Sequence, residues 1–274
     1  DGALRRILEK PTAEQLAAAG PDALVSMNAF AFQPEIFEAC ASIEPSERGE
    51  LEIVDAVRAL PDVRVLPFAA LGTPPQDVKY KGEPTRCVIG ARTLVREGVT
   101  VHRASVGGSG TTRVGADCML MAMAHVAHDC QLGDGVILAN NAMLGGHVHL
   151  GAGAFVGGGA AVHQTVRIGR LAMVSGLAGV TNDIPPFGYV FGLPARLVGF
   201  NKIGLLRRGA SREQLRTLRL ANALLFKDPG EFAAKVEQAA ERFAGDALVE
   251  EVIVVAYLLT AWVQQRRCLA WVRR

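Results

Sequence analysis

Branched aliphatic residues recur every six positions along the middle of the chain: Val114, Leu120, Val126, Leu132, Leu138, Leu144, Leu150, Val156, Val162, Ile168, Val174 and Val180. Two positions before each stands a small or compact residue, from Thr112, Cys118 and Ala124 to Ala172 and Ala178. A period of six fits neither a helix nor a long alternating strand; it fits a short strand that turns a corner after every hexad. Three hexads close one triangular coil of eighteen residues, so residues eighteen apart stack at the strand spacing of about 4.8 Å. The pattern predicts a mainly β solenoid.

Ile89, Val95 and Val101 keep the same phase. A glycine-rich stretch from Ser105 to Thr111 then inserts seven residues, which predicts a loop thrown out of one corner. Val65 and Leu71 predict a further partial coil ahead of a second interruption, from Thr73 to Arg86. Between positions 112 and 183 there is no proline and a single aromatic, Phe155, as a narrow aliphatic core requires. From Ser211 the spacing becomes helical (Leu215, Leu218, Ala221, Leu225, then Phe232, Val236, Phe243), with Ser211–Gln214 and Asp228–Glu231 predicted as capping boxes. Such a helical region would cover the open strand edge of the last coil.

Composition narrows the function. In 274 residues, half are hydrophobic, thirty are glycine and 6% are aromatic, which excludes global disorder and suits repetitive β structure. A net charge of +2 argues against bulk binding of nucleic acid or anionic membrane. The apolar stretch from Val252 to Val263 is too short for stable membrane insertion. Cysteines at 40, 87, 118, 130 and 268 form no close pair, which disfavours a disulfide framework or a zinc ribbon. With no signal peptide at its start, the chain is expected to be cytoplasmic.

The eighteen-residue arithmetic sorts the corner residues into columns. One holds His128, Gly146, Gln164 and Asn182; another Asn140, Gly158 and Gly176; the third Asp134, Ala152 and Arg170. Only the first is reactive, because Asp129 stacks with His147 and Thr165 beside it, and His163 over Gly145, while His125 lies just before. A neutral imidazole at His128, oriented by Asp129, is a candidate general base. Gly146 is a candidate backbone N–H donor to an oxyanion. That is the equipment of acyl transfer. The competing readings are a solvated corner, and a three-imidazole zinc centre of His125, His128 and His147. Acyl transfer accounts better for Asp129 and Gly146, so no metal is expected.

The motifs FAALGTPPQDVKYKGEPTR (68–86), VREGVTVHRAS (95–105), AHVAHDC (124–130), ILANNAMLGGHV (137–148), AAVHQ (160–164) and NKIGLLRRG (201–209) carry a resemblance. Together, residues 68 to about 250 resemble the acyl-carrier-protein-dependent UDP-N-acetylglucosamine O-acyltransferases of lipid A biosynthesis. The resemblance implies a left-handed parallel β-helix of hexapeptide repeats with a C-terminal α-helical domain, assembled as a homotrimer. It implies transfer of an (R)-3-hydroxyacyl group from acyl carrier protein to the 3-hydroxyl of UDP-N-acetylglucosamine, the first step of lipid A biosynthesis. No cofactor is needed beyond the 4'-phosphopantetheine that arrives on the carrier.

Carried over residue by residue, the family's base falls on His128 with Asp129 supporting it, and its oxyanion N–H on Gly146. Its sugar-nucleotide contacts fall on Asp77, Lys79, His125, His147, His163, Gln164, Asn201, Arg207 and Arg208. Its hydrocarbon ruler falls near Gly176, which with Gly158 forms a smooth slot for the acyl chain. Two ends depart from the family. Residues 1–62 instead resemble a nucleotidyltransferase fragment, through EKP at 9–11, SMNAFAFQPEIFEA at 26–39 and SERGELEIVDAV at 46–57, without the glycine-rich phosphate loop of a working enzyme. The β-helix is expected over 63–200 and the helical domain over 201–274, with a tail after about Ile253 that matches nothing in the family. The alternatives are a non-catalytic trimeric scaffold and a related hexapeptide N-acyltransferase.

Overall fold

The computed structural model describes residues 63–263, with side chains to Ala256. The nucleotidyltransferase-like segment, 1–62, and the last residues of the tail lie outside the described residues. The described chain winds into a left-handed parallel β-helix with three faces. On the first face Arg64–Val65, Leu94–Val95, Met119–Leu120, Ile137–Leu138, Phe155–Val156 and Met173–Val174 run in parallel register. The second is built from Ala70–Thr73, Thr100–His102, His125–Val126, Met143–Leu144, Ala161–Val162 and Gly179–Val180. The third runs from Arg86–Ile89 through Thr111–Val114, Gln131–Leu132 and His149–Leu150 to Arg167–Ile168. Regular partners such as His125 and Met143 are eighteen residues apart.

From Leu94–Val95 onward, each two-residue strand presents its second residue inward. The hexad aliphatics from Val114 to Val180 are all buried, as are the compact residues two positions earlier, and together they fill one continuous core. Burying a valine or leucine side chain is worth about 1.5–3 kcal/mol, so every coil contributes to stability through its neighbours. Corners turn on a residue in the left-handed region, including Asp117, Asp129, Asn141, His147 and Thr165 as well as Gly135, Gly153 and Gly159. Asp129 and His147 are thus held at equivalent points of successive coils.

Both interruptions of the repeat leave the helix at one corner, between the second and third faces. The loop 74–85 joins Ala70–Thr73 to Arg86–Ile89, and the glycine-rich segment joins Thr100–His102 to Thr111–Val114. His128 lies at that corner two coils past the loop 74–85 and one coil past the glycine-rich segment.

Past the last coil, Gly188–Phe191 pairs antiparallel with Arg196–Phe200. Helices α1 (Lys202–Arg207), α2 (Arg212–Asn222), α3 (Phe232–Arg242) and α4 (Ala247–Val263) follow. Leu171 and Phe187 of the β-helix enter their core beside Leu205, Leu218, Leu225, Val236 and Val252. Arg170 joins the two parts by a forked ion pair with Glu251, at 2.6–3.0 Å, and stacks on Phe187. Ser211 and Gln214 form a capping box on α2. The Asp228–Glu231 box does not form. Gly230, at φ +124°, delays α3 to Phe232, and the Asp228 carbonyl accepts instead from Lys235 Nζ at 2.9 Å.

Candidate active site

The site begins with a hydrogen bond of 2.9 Å between His128 Nδ1 and Asp129 Oδ2. Asp129 is buried, and its oxygens accept three further bonds. Oδ2 takes the Ser105 backbone N–H at 3.0 Å and the Ser105 hydroxyl at 2.7 Å; Oδ1 takes the Ser109 N–H at 3.1 Å. Burial pushes this carboxyl up, but the bonds from His128 and Ser105 outweigh it and hold Asp129 below its ordinary value. The ionised carboxylate can only accept, so the neutral imidazole of His128 takes the tautomer with its proton on Nδ1 and a lone pair on Nε2.

Gly146 lies against the imidazole. A Cβ built on it would sit 2.7 Å from His128 Cε1 and 2.8 Å from Nε2, so this position admits no side chain while the ring stays in place. Its neighbours' N–H groups are engaged: Gly145 donates to Val162 O at 2.9 Å and His147 to His128 O at 3.0 Å. Among the described residues the Gly146 N–H has no acceptor in the chain. A lone pair and an unengaged N–H therefore adjoin on one corner, as attack on a carbonyl requires.

Other expected residues surround this pair. The His147 ring meets His128 edge-on at 5.1 Å, and its Nε2 stands 3.9 Å from Asp129 Oδ2. His125 bonds Thr100 Oγ1 at 2.7 Å through Nδ1. His163 and Gln164 occupy the next coil of the same corner, exposed, with His163 Nδ1 3.1 Å from the Gln164 carbonyl. Asp77 and Lys79 ride on the loop 74–85, where Asp77 Oδ1 accepts the Lys79 N–H at 2.9 Å. The group able to share a metal ion is His128, Asp129 and His147 rather than the three imidazoles considered from sequence, and Asp129 is already filled by hydrogen bonds.

Two groups lie at other corners of the same chain. Asn201 caps α1 by accepting the Gly204 N–H at 2.9 Å, and its amide donates to Leu171 O at 2.9 Å. Arg208 lies close to Gly153, at the corner between the third and first faces, while Arg207 is exposed at the end of α1. Gly158 and Gly176 stack at the corner between the first and second faces; a Cβ on Gly176 would stand 3.2 Å from the Gly158 carbonyl. Within one chain these residues do not meet His128.

The sequence reading missed Ser105, Ser109, Thr112 and His102. Thr112 Oγ1 accepts the Asp129 N–H at 2.8 Å, anchoring the backbone under the carboxylate. His102 is buried and packs edge-on to His125 at 5.1 Å, and among the described residues its Nδ1 has no hydrogen-bond partner. Burial, then the charges of His125 and His128, lower the His102 pKa from 6.5; burial and His128 lower that of His125. A depressed histidine contributes stability that is present above the unfolded pKa and lost as pH falls through the folded one. Thermal stability is therefore expected to drop as pH falls below about 6.5. The drop should be shallower in His102→Phe, which keeps a ring against His125; melting curves across this range check it, and parallel profiles would refute it.

These features define an acyltransferase-type β-helix of hexapeptide repeats. Residues 111–146 match the bacterial transferase hexapeptide family (six repeats), and residues 183–267 match domain 2 of UDP N-acetylglucosamine O-acyltransferase, so the tail as far as Arg267 falls inside the family match, contrary to the expectation that it matches nothing after about Ile253. A relative from Paracoccus denitrificans, an acyl-[acyl-carrier-protein]–UDP-N-acetylglucosamine O-acyltransferase, is 50% identical over 63% of this chain and 68% of its own. One of the same name from Anaeromyxobacter sp. (strain Fw109-5) is 49% identical over 60% of this chain. This chain spans 64% of that relative's length. The crystal structure of UDP-N-acetylglucosamine O-acyltransferase from Moraxella catarrhalis superposes with a TM-score of 0.69 at 32% identity, covering 72% of this chain and 77% of that one. The chain belongs to the acyl-[acyl-carrier-protein]–UDP-N-acetylglucosamine O-acyltransferase family.

Proposed function

We propose that this chain transfers an (R)-3-hydroxyacyl group from acyl carrier protein to the 3-hydroxyl of UDP-N-acetylglucosamine, opening lipid A biosynthesis. The observation that carries the reading is the ordered line from Asp129 through His128 to the N–H of Gly146. His128 Nε2 takes the proton of the sugar hydroxyl as its oxygen attacks the thioester carbon. The carbonyl oxygen becomes an oxyanion that the Gly146 N–H receives. As the C–S bond breaks, the proton passes from His128 to the departing sulfur, leaving an ester and the carrier's free thiol. Asp129 stays ionised throughout and steadies the imidazolium. No cofactor takes part beyond the phosphopantetheine of the donor.

A homotrimer accounts for the three separated groups, because threefold assembly can set one chain's corner against another's. The outer surfaces of the faces support this. The first presents Leu94, Met119, Ile137, Phe155 and Met173 in one ladder, whereas the third presents Arg113, Gln131, His149 and Arg167. In that assembly Asp77, Lys79, His125, His147, His163, Gln164, Asn201, Arg207 and Arg208 bind the sugar nucleotide, the cations serving its diphosphate. The reaction belongs in the cytoplasm on this reading, where the free thiols of Cys87, Cys118 and Cys130 suit a reducing compartment.

The deciding experiment supplies (R)-3-hydroxyacyl carrier proteins of graded length with UDP-N-acetylglucosamine and follows ester and free thiol. Ester formation is expected; a folded trimer that binds the sugar nucleotide and turns over no donor is a scaffold. The stacked glycines make the length profile informative. Each buried methylene is worth about 0.8 kcal/mol, so a side chain in the slot penalises long donors roughly fourfold per group it displaces. Gly176→Met is expected to shift preference to shorter chains, and an unchanged profile in an active variant would put the ruler elsewhere.

A further inference from the structure

The glycine-rich excursion breaks the repeat only to fold back over Asp129. Ser105 is buried and gives Asp129 Oδ2 both its N–H and its hydroxyl, on the same oxygen that accepts from His128 Nδ1. Gly108 lies so near the carboxylate that a Cβ there would overlap Oδ1. The loop is pinned from outside by Gln131, whose Nε2 donates to the Thr111 carbonyl at 2.6 Å and the Ser109 hydroxyl at 3.1 Å. A two-oxygen carboxylate free to rotate about χ2 would offer His128 either oxygen or neither; with Ser105 on Oδ2 and Ser109 on Oδ1 it offers one.

We propose that Ser105 is a positioning residue for acyl transfer: it fixes the Asp129 carboxylate on His128 Nδ1, and so fixes the imidazole in the tautomer that leaves Nε2 free. The loop 105–111 is the cradle that delivers it. This rests on the acyl-transfer reading for its consequence in rate, but its structural content is independent of substrate.

Two measurements separate these. Ring-nitrogen NMR of histidine-labelled protein, without substrate, reads the His128 tautomer, its signal assigned by loss in His128→Ala. The wild type is expected to show a protonated Nδ1 and a bare Nε2, and Ser105→Ala a mixture of both tautomers. Steady-state kinetics then read the consequence. Ser105→Ala is expected to lose about tenfold to a hundredfold in kcat, as for a lost hydrogen bond to a charged group, with KM for the sugar nucleotide little changed. Ser105→Thr, which keeps the hydroxyl, should restore both readouts. If Ser105→Ala does not fold, Gln131→Ala loosens the cradle from its surface and should move tautomer and kcat the same way by less. A wild-type tautomer in the folded alanine variant overturns the proposal whatever happens to kcat, as does an unmoved tautomer in Gln131→Ala should Ser105→Ala fail to fold. If the wild type has no transferase activity, the acyl-transfer reading fails, while the tautomer still decides the cradle.

Discussion

Replacing His128 by alanine is expected to lower kcat for acyl transfer by about 10²–10⁴, the usual worth of a positioned general base. The loss should appear in kcat rather than in KM for UDP-N-acetylglucosamine, because the imidazole reacts with the hydroxyl and the expected nucleotide contacts stand elsewhere on the corner. Folding should survive. The side chain points out of the solenoid, and the inward ladder of Ala124, Val126 and Ala127 beneath it is untouched. His125→Ala is the natural comparison, since His125 is bonded to Thr100 and adjoins the site from the second face. The measurement is turnover with a single donor length, alongside melting and assembly state. A folded His128→Ala protein that keeps more than about a tenth of its activity would remove this residue from the chemistry.

The coil was legible because its physics is periodic. The inward aliphatics from Val114 to Val180 follow one another at intervals of six, so Val126, Leu144 and Val162 predict their own stacking, and the column His128, Gly146, Gln164 follows by counting. Inward positions must be apolar and compact in any such coil, and this constraint is strong enough to read without a partner sequence. The resemblance then supplied roles that counting does not, for Asp77 and Arg208 among others.

What escaped the reading escaped because the repeat is broken just there. The seven inserted residues change the register from eighteen to twenty-five, so Thr100 and Val101 pair with His125 and Val126. His102 therefore belongs beside the histidine corner, although a fixed step of eighteen places it elsewhere. Adding the insertion to the step would have found it. Ser105 and Ser109 are harder. Their partners lie twenty-four and twenty residues away, and the contact depends on how a glycine-rich loop folds back, which no hydrophobic period encodes. The failed capping box at Asp228 has a similar origin, since the intervening Pro229 and Gly230 set the chain's direction before the helix can start.

The corner's two adjacent glycines should respond to alanine in opposite ways. A methyl on Gly145 would meet backbone: Gln164 N at 2.7 Å and Gln164 Cα and Val162 O at 3.1 Å. Backbone in a stacked coil cannot move without opening the ladder above it, so Gly145→Ala is expected to lower thermal stability. The nearest atoms to a methyl on Gly146 are those of the His128 ring, at 2.7 and 2.8 Å to Cε1 and Nε2, and Gly146 itself is outside the left-handed region. The ring can give way where backbone cannot. It swings off, dragging Nε2 from the position that the Asp129 bond defines, and the methyl shields the N–H meant for the oxyanion. Gly146→Ala should therefore melt near the wild type while losing about 10²–10³ in kcat, the range seen when an oxyanion donor is removed. Melting temperature and kcat measured on both variants give the test. A Gly146→Ala protein with wild-type turnover would show that neither the seat of the imidazole nor this N–H matters to the reaction; one that fails only by unfolding would make Gly146 a packing residue like its neighbour.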